Sequence, residues 1–207
     1  TRGAGPAVSL SASGTDYNFA RAEAGSGGLV AGAGATADVE GSSSTLAFLA
    51  DDPDTTDSVR TTLDVASLDL TASHTSRFDS QTDTFQAAAV GFSGSWATND
   101  VAATVKAQIG DNARITTQDL VVEATNTTRK DLVDAGLEGE GDYNVQAGSG
   151  GVLQGNAAES ETDILNVTHA TIGDWADIDV IGGLSGAGGV LLRAYNDVEG
   201  TDDVKLD

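Results

Sequence analysis

An internal repeat constrains this chain more than any other sequence feature. Residues 24–32 and 147–155 both begin with Ala-Gly-Ser-Gly-Gly and end in glycine, and a looser copy spans residues 87–94. The closing glycines of these copies, Gly32, Gly94 and Gly155, recur at a step of about 61 residues. Because each repeat unit buries its apolar face against its neighbours, the pattern predicts a stacked repeat fold rather than a catalytic domain.

Two further phrases recur with a similar spacing. Ala107-Gln-Ile-Gly-Asp111 matches Ala170-Thr-Ile-Gly-Asp174, and residues 47–51 are a degenerate copy. A short alternating strand also ends in alanine four times, at Ala12, Ala72, Ala124 and Ala194. Its uneven spacing indicates extra residues in the connections 51–72 and 174–194, which we expect to be loops because insertions there leave the backbone solvated.

Strand signals dominate the rest of the chain. Five segments are rich in Val, Ile, Leu and Thr with a period of two, namely Val65–Ala72, Ala103–Ile109, Ile115–Ala124, Ile164–Ala170 and Ile178–Ile181. Glycine and aspartate punctuate them, for example at Gly110-Asp-Asn112. The only helical pattern is weak, covers residues 129–138 and is limited by Gly136 to about one turn.

The length of the repeat selects among all-β architectures. A propeller blade takes about 40–45 residues and an immunoglobulin-like sandwich about 100, so neither fits a unit of about 61 residues. Coils of roughly 20 residues fit three times, and each unit would then add about 14–15 Å of rod. The sequence predicts one continuous all-β domain over residues 1–207, a parallel β-solenoid with units at about 1–62, 63–124, 125–194 and a partial unit at 195–207, cut from a longer rod.

The charge of the chain excludes several partners. Asp plus Glu number 32 against 10 Lys plus Arg, which gives a formal net charge of −22. Nucleic acid and anionic membrane surfaces are disfavoured because both require clustered basic residues. No apolar run approaches the ~18 residues that span a membrane. An acidic surface stays hydrated in concentrated salt, so a saline or marine exterior is favoured.

The repeated phrases also resemble a known family. The Ile-Gly-Asp phrases within Ala107–Ile115 and Ala170–Ile178, the alternating strand and the Ala-Gly-Ser-Gly-Gly stretches are similar to bacterial filamentous haemagglutinin-like and leukotoxin-type surface adhesins. The resemblance covers most of the chain, from about Val8 to Ala194. It implies a right-handed parallel β-helix, export to the bacterial cell surface and no enzymatic chemistry. The acidity and the long connections at 51–72 and 174–194 depart from the family pattern.

Candidate metal ligands are all acidic. Four carboxylates lie close together at Asp51, Asp52, Asp54 and Asp57. Calcium binds such clusters, but the central Gly and terminal Glu of a calcium loop are missing, so a solvated loop is the favoured alternative. Asp111 and Asp174 recur in register, and we expect turn residues there whose carboxylates bond the backbone two residues on. No other cofactor is predicted.

Other chemical signals are weak. His74 and His169 have no Cys or third His with them, and His169 takes the place of Lys106 and Leu46, so it should face outward. The glycine phrases lack a phosphate-binding pattern. Asn126-Thr-Thr128 and Asn166-Val-Thr168 match the N-glycosylation acceptor sequence, and their modification stays open.

These features favour a structural or adhesive extracellular fibre segment, such as part of an adhesin or biofilm matrix, without catalysis. The alternatives are a carbohydrate-binding or carbohydrate-cleaving β-helix and a calcium-rigidified repeat. The expected partners are neighbouring repeats of the same chain, further copies that associate into filaments because exposed strand edges pair readily, and a polysaccharide or cell-surface receptor.

Overall fold

The computed structural model describes residues 5–49, 61–130, 143–182 and 188–206. Within these residues the chain forms ten β-strands and no helix, which confirms the predicted all-β class. The strands are β1 (Ala7–Leu49), β2 (Thr62–Asp64), β3 (Ser67–Ile109), β4 (Arg114–Thr117), β5 (Asp119–Lys130), β6 (Val145–Gly150), β7 (Leu153–Ile172), β8 (Asp177–Val180), β9 (Val190–Glu199) and β10 (Val204–Leu206).

Equivalent residues of successive units pair directly with one another. β1 pairs with β3 in parallel and without a change of register, from Ala7↔Ser67 to Leu49↔Ile109. β3 pairs in the same way with β5 and β7, and β5 pairs with β9. The strand-ending alanines therefore form one column, as the sequence repeat predicts, and its members are Ala12, Ala72, Ala124 and Ala194.

This register corrects two predictions. Three coils per unit is wrong, because residues one repeat apart lie on neighbouring strands, about 4.8 Å apart rather than 14–15 Å. The glycine alignment was also two residues out of register. Gly32 and Gly155 both pair with Phe92, whereas Gly94 pairs with Gly34 and Ala157. Short phrases of small residues are so alike that they can be aligned in more than one way, whereas the backbone pairing of the strands has a single register.

The large sheet curls back on itself. A straight strand of 43 residues, the length of β1 and of β3, would extend about 140 Å. Instead, Thr84 Oγ1 lies 2.9 Å from Ser95 Oγ, eleven residues later. Inward positions in β3 are even-numbered before Ala88 and odd-numbered after Gly91, so the chain bends between them. Each layer thus has an outgoing arm (67–88 in β3) and a return arm (91–109) that face each other.

A glycine permits the same bend in the first layer. Gly28 has φ of 149°, a left-handed conformation that residues with a Cβ rarely adopt. It lies between the outgoing and return halves of β1 and pairs with Ala88, at the bend of β3. The Ala-Gly-Ser-Gly-Gly phrase therefore leads into the bend of the layer, which explains its high glycine content.

A small parallel sheet in the order β2-β4-β8 covers one end of the space between the arms. The main apolar core lies there, where Val65 and Ile115 pack with inward residues of both arms. Its buried members are Ala47, Val65, Leu68, Leu70, Ala72, Val105, Ala107, Ile109, Ala113, Ile115, Leu120, Val122 and Ala124. Aliphatic side chains with period-two spacing are buried because each strand of the arms has only one inward face.

The interior becomes polar towards the bend. Only Phe78, Val39 and Val101 form a second buried apolar cluster among the described residues. Beyond it, the buried residues include Ser80, Thr82, Thr84, Gln86, Ser93, Ser95 and Asn99. Short hydroxyl side chains allow the two arms to approach closely, and Thr84 and Ser95 hydrogen-bond to each other across the space between them.

The predicted long connections are confirmed in position. The first lies between Leu49 and Thr62, and the second between Val180 and Val190; parts of both fall outside the described residues. A further insertion separates Lys130 from Val145. It contains most of the predicted helical turn at 129–138, of which only Arg129 and Lys130 are described, as the end of β5.

We expect Gly14→Ala to destabilise the fold by about 1–3 kcal/mol, because overpacking displaces neighbours. The added Cβ would lie 2.5 Å from both His74 Nδ1 and Thr45 Oγ1. Gly34→Ala is the matched control, since the nearest atom to its Cβ is 3.9 Å away. That variant should shift the unfolding free energy by less than about 0.5 kcal/mol. Urea unfolding followed by circular dichroism measures both, and equal losses would contradict the close packing at Gly14.

Candidate functional site

The predicted calcium cluster lies outside the described residues. Asp51, Asp52, Asp54 and Asp57 all belong to the stretch 50–60, and calcium binding there stays a prediction. In the described part of the chain, no three His, Asp or Glu residues are arranged to hold a metal ion.

Asp111 and Asp174 lie at equivalent corners of adjacent layers. The Asp111 carboxylate accepts a hydrogen bond from the backbone N–H of Asp174, with Oδ1 and N separated by 2.6 Å. Both aspartates lie in turns, as predicted, and the Asp111 carboxylate binds the backbone of the next layer. Asn112 N donates to Asp174 O in the same corner, at 2.9 Å, so the Ile-Gly-Asp phrase fastens one layer to the next.

His74 is the one buried histidine of the described chain, and a serine, a threonine and a carboxylate surround it. Its Nε2 lies 2.9 Å from Ser43 Oγ and 3.2 Å from Asp16 Oδ2, and its Nδ1 lies 3.1 Å from Thr45 Oγ1. A catalytic triad needs the nucleophile and the carboxylate on opposite ring nitrogens. Here Ser43 and Asp16 share Nε2, whereas the Thr45 hydroxyl lies on the opposite nitrogen, and the cluster joins the two arms to each other. His169 is exposed, as predicted.

The two glycosylation motifs point into the interior. Asn126 is fully buried, and its Nδ2 donates to the Ala103 carbonyl at 3.2 Å. Asn166 Nδ2 donates to Thr128 Oγ1 at 2.9 Å. Both amides bridge the outgoing and return arms, so the folded chain does not offer the Asn126 side chain for modification.

Lys130, at the end of β5, is buried and interacts with residues of several layers. The Lys130 side chain is 3% exposed and contacts the Asp202 carboxylate, and its Nζ lies 2.9 Å from Thr162 Oγ1. Beside it, the buried Asn144 donates through Nδ2 to Asp79 Oδ1 at 2.6 Å. Burial lowers the pKa of Lys130 below its usual 10.5, while the charges of Asp79 and Asp203 act in the opposite direction. Sequence patterns gave no signal for this cluster, because its members are brought together only by layer stacking.

The outer face of the return arms carries a ladder of carboxylates. Glu40, Asp100 and Asp163 occupy one column, and Asp38 and Glu161 flank Thr98 in the next. Stacked like charges repel across the ~4.8 Å strand spacing, and this repulsion is screened by salt. Part of the acidity read from composition is therefore arranged in columns.

Aromatic rings cover glycines on the same face. A Cβ placed on Gly94 would collide with the Trp96 ring, and one on Gly155 would lie 3.0 Å from Phe92 Cδ1. Both rings therefore lie along the surface, with Trp96 41% exposed and Phe92 60% exposed. Sequence reasoning missed these rings, although a glycine two positions before Trp96 and a glycine one repeat after Phe92 were usable signals.

The small sheet carries an open polar depression of about 480 Å³ on its outer face. Arg114 and Thr116 of the central strand β4 lie between side chains of β2 and β8. The lining residues are Thr62, Asp64, Arg114, Ile115, Thr116, Asp177, Ile178 and Asp179. Its carboxylates and hydroxyls can bind hydrogen-bonding ligands.

Comparisons with protein-family models, curated proteins and solved structures found no match. The described residues also contain no helix with the length and apolar character that a membrane span requires.

Replacing Lys130 with Met should cost about 3–5 kcal/mol at neutral pH, because it leaves the neighbouring carboxylates without their cation. Lys106→Met, on the outer face, is the control and should shift stability by less than about 0.5 kcal/mol. The lowered pKa of Lys130 means that the unfolded chain binds more protons between that pKa and 10.5. This contribution therefore raises stability as pH rises through that window. Urea titrations at several pH values should show this slope in the native chain and not in K130M.

Removing one charge from the carboxylate ladder should stabilise the chain. Asp100→Asn relieves repulsion from Glu40 and Asp163, and we expect the melting temperature at low salt to rise by about 1–3 °C. Thr98→Asn changes the neighbouring column without changing charge and serves as the control. The gain from D100N should shrink at high salt, and a gain independent of ionic strength would argue against the repulsion.

Proposed function

We propose that this chain is a structural and adhesive segment of an extracellular fibre, built as a closed right-handed parallel β-solenoid. The in-register pairing of equivalent residues in successive units carries this proposal. This pairing supports one unit per turn. Within each unit the chain runs through an outgoing arm, a return arm and a short strand of the small sheet, and the next unit then begins.

The dimensions of each unit favour a segment that presents broad faces over a rod that spans a long distance. An arm of about 22 residues extends about 70 Å, whereas each additional turn adds only about 4.8 Å of height. A unit that makes only one turn therefore builds broad faces and little length. We propose that the segment presents these faces to its surroundings, as an adhesin or matrix component does.

The charge distribution supports an extracellular, saline setting for a bacterial surface protein. The net charge of −22 and the exposed carboxylate columns favour solubility at high ionic strength, where repulsion between layers is screened. We propose no catalytic role, because His74, the histidine that contacts both hydroxyls and the carboxylate, is buried between the arms and only 3% exposed. Carbohydrate binding is the second candidate, and the polar depression with its exposed corner favours it.

Engineered disulfides test the stacking of one unit per turn. The chain has no native cysteine, so Thr75→Cys with Thr127→Cys introduces a single pair. These residues pair across adjacent layers, and their expected Cα separation of about 4.8 Å suits a disulfide. Thr75→Cys with Thr125→Cys is the control, because a shift of two residues puts the pair beyond the ~7 Å limit.

We expect rapid oxidation of the first pair only, seen by electrophoresis without reductant and by peptide mass analysis. A solenoid with three coils per unit would oxidise neither pair. Antibodies against the folded chain should in addition label intact source cells, and labelling only after lysis would contradict the extracellular role.

A further inference from the structure

The outer face of the small sheet presents a regular grid of polar side chains. Thr62, Arg114 and Asp177 form one column across β2, β4 and β8. Asp64, Thr116 and Asp179 form the second column, two residues further along the strands. Parallel pairing places column neighbours about 4.8 Å apart, and the two columns about 6.6 Å apart, so the groups line the depression at fixed spacings.

The charged groups of this grid are open to a ligand. Arg114 Nε and Asp177 Oδ2 are 3.6 Å apart, and their side chains are 61% and 55% exposed. The face combines three carboxylates, one guanidinium and two hydroxyls, which together accept and donate many hydrogen bonds. The excess of carboxylates repels anions. This composition suits a ligand with many hydroxyl groups and no acidic groups.

An exposed tryptophan with an unusual backbone conformation lies two residues before Asp177, which lines the depression. Trp175 has φ of 61° and is 81% exposed, in the corner between β7 and β8. The equivalent corner one layer earlier has Asn112, with φ of 55°. Asparagine is common in the left-handed region, but a bulky residue there costs stability. Trp175 lies two residues before Asp177, so their Cα atoms are at most about 7 Å apart.

We propose that this corner and the polar grid together form a binding site for an uncharged polysaccharide. Trp175 supplies an aromatic face, whose negative charge density attracts the polarised C–H groups of a sugar ring. The grid supplies hydrogen bonds to hydroxyl groups, and charge-assisted bonds to the carboxylates are the strongest of these. The exposed, strained tryptophan is explained by ligand contact, because it gains little from packing. This inference rests on the proposed adhesive function and names its ligand class.

Affinity electrophoresis of the full chain tests the proposal. The gels contain uncharged polysaccharides, namely a β-glucan, a mannan, a galactan or a xylan, or the acidic polymers pectate and alginate. We expect retardation by at least one uncharged polymer and none by the acidic ones. Trp175→Asn should weaken that binding at least about tenfold. Its melting temperature should be higher than that of the native chain, because asparagine suits the corner.

Matched variants separate binding from folding. Trp96→Phe changes the tryptophan of the return arm and should leave binding unchanged, whereas Arg114→Gln should weaken it by a few fold. The proposal is overturned if no uncharged polymer retards the chain, if W175N binds like the native chain, or if only acidic polymers bind. If polysaccharide binding fails but the Thr75–Thr127 cross-link forms, the proposed ligand is wrong and the stacked segment stands. If the cross-link does not form, the stacking that creates the polar grid is itself wrong.

Discussion

The parallel, in-register pairing of each unit with the next is the constraint on which the rest of this structure depends. One unchanged register joins β1 to β3 at every position of β1 except Leu29, which lies outside the pairing at the bend. A slip of one residue would turn every inward side chain outward, so the apolar columns hold the register. All four layers place an aliphatic residue in one such column, which consists of Val8, Leu68, Leu120 and Val190.

The interior shows how a chain poor in aromatic residues can hold two long arms together. Aliphatic packing dominates beside the small sheet, while hydroxyls, amides, two charged groups and the smaller Phe78 cluster occupy the remainder. The His74 and Lys130 clusters each join several layers or both arms through directional bonds. Such buried polar groups are costly when unpaired, so they penalise alternative registers more than small apolar residues do.

The same stacking places chemistry on the surface. Equivalent exposed residues of successive layers align in columns. They form a ladder of carboxylates around Asp100 and a grid of polar groups on the small sheet. A corner residue can then depart from the pattern of its column without disturbing the stack. Trp175 does so where the previous layer has Asn112, and it is therefore the clearest local departure from the repeat among the described residues.

The sequence alone determined the all-β class, the repeat length, the positions of the long connections and the acidic surface. These follow from period-two alternation, recurring phrases and composition, which are local properties. It could not determine that equivalent residues of successive units lie on neighbouring strands, because short coils and long ones satisfy the same alternation. Only tertiary pairing decided this, since backbone hydrogen bonds between the strands of Ala107 and Ala170, or of Ala12 and Ala72, are long-range. The Lys130 cluster and the polar grid depend on the same pairing, because most of their members are far apart along the chain and meet only when the layers stack.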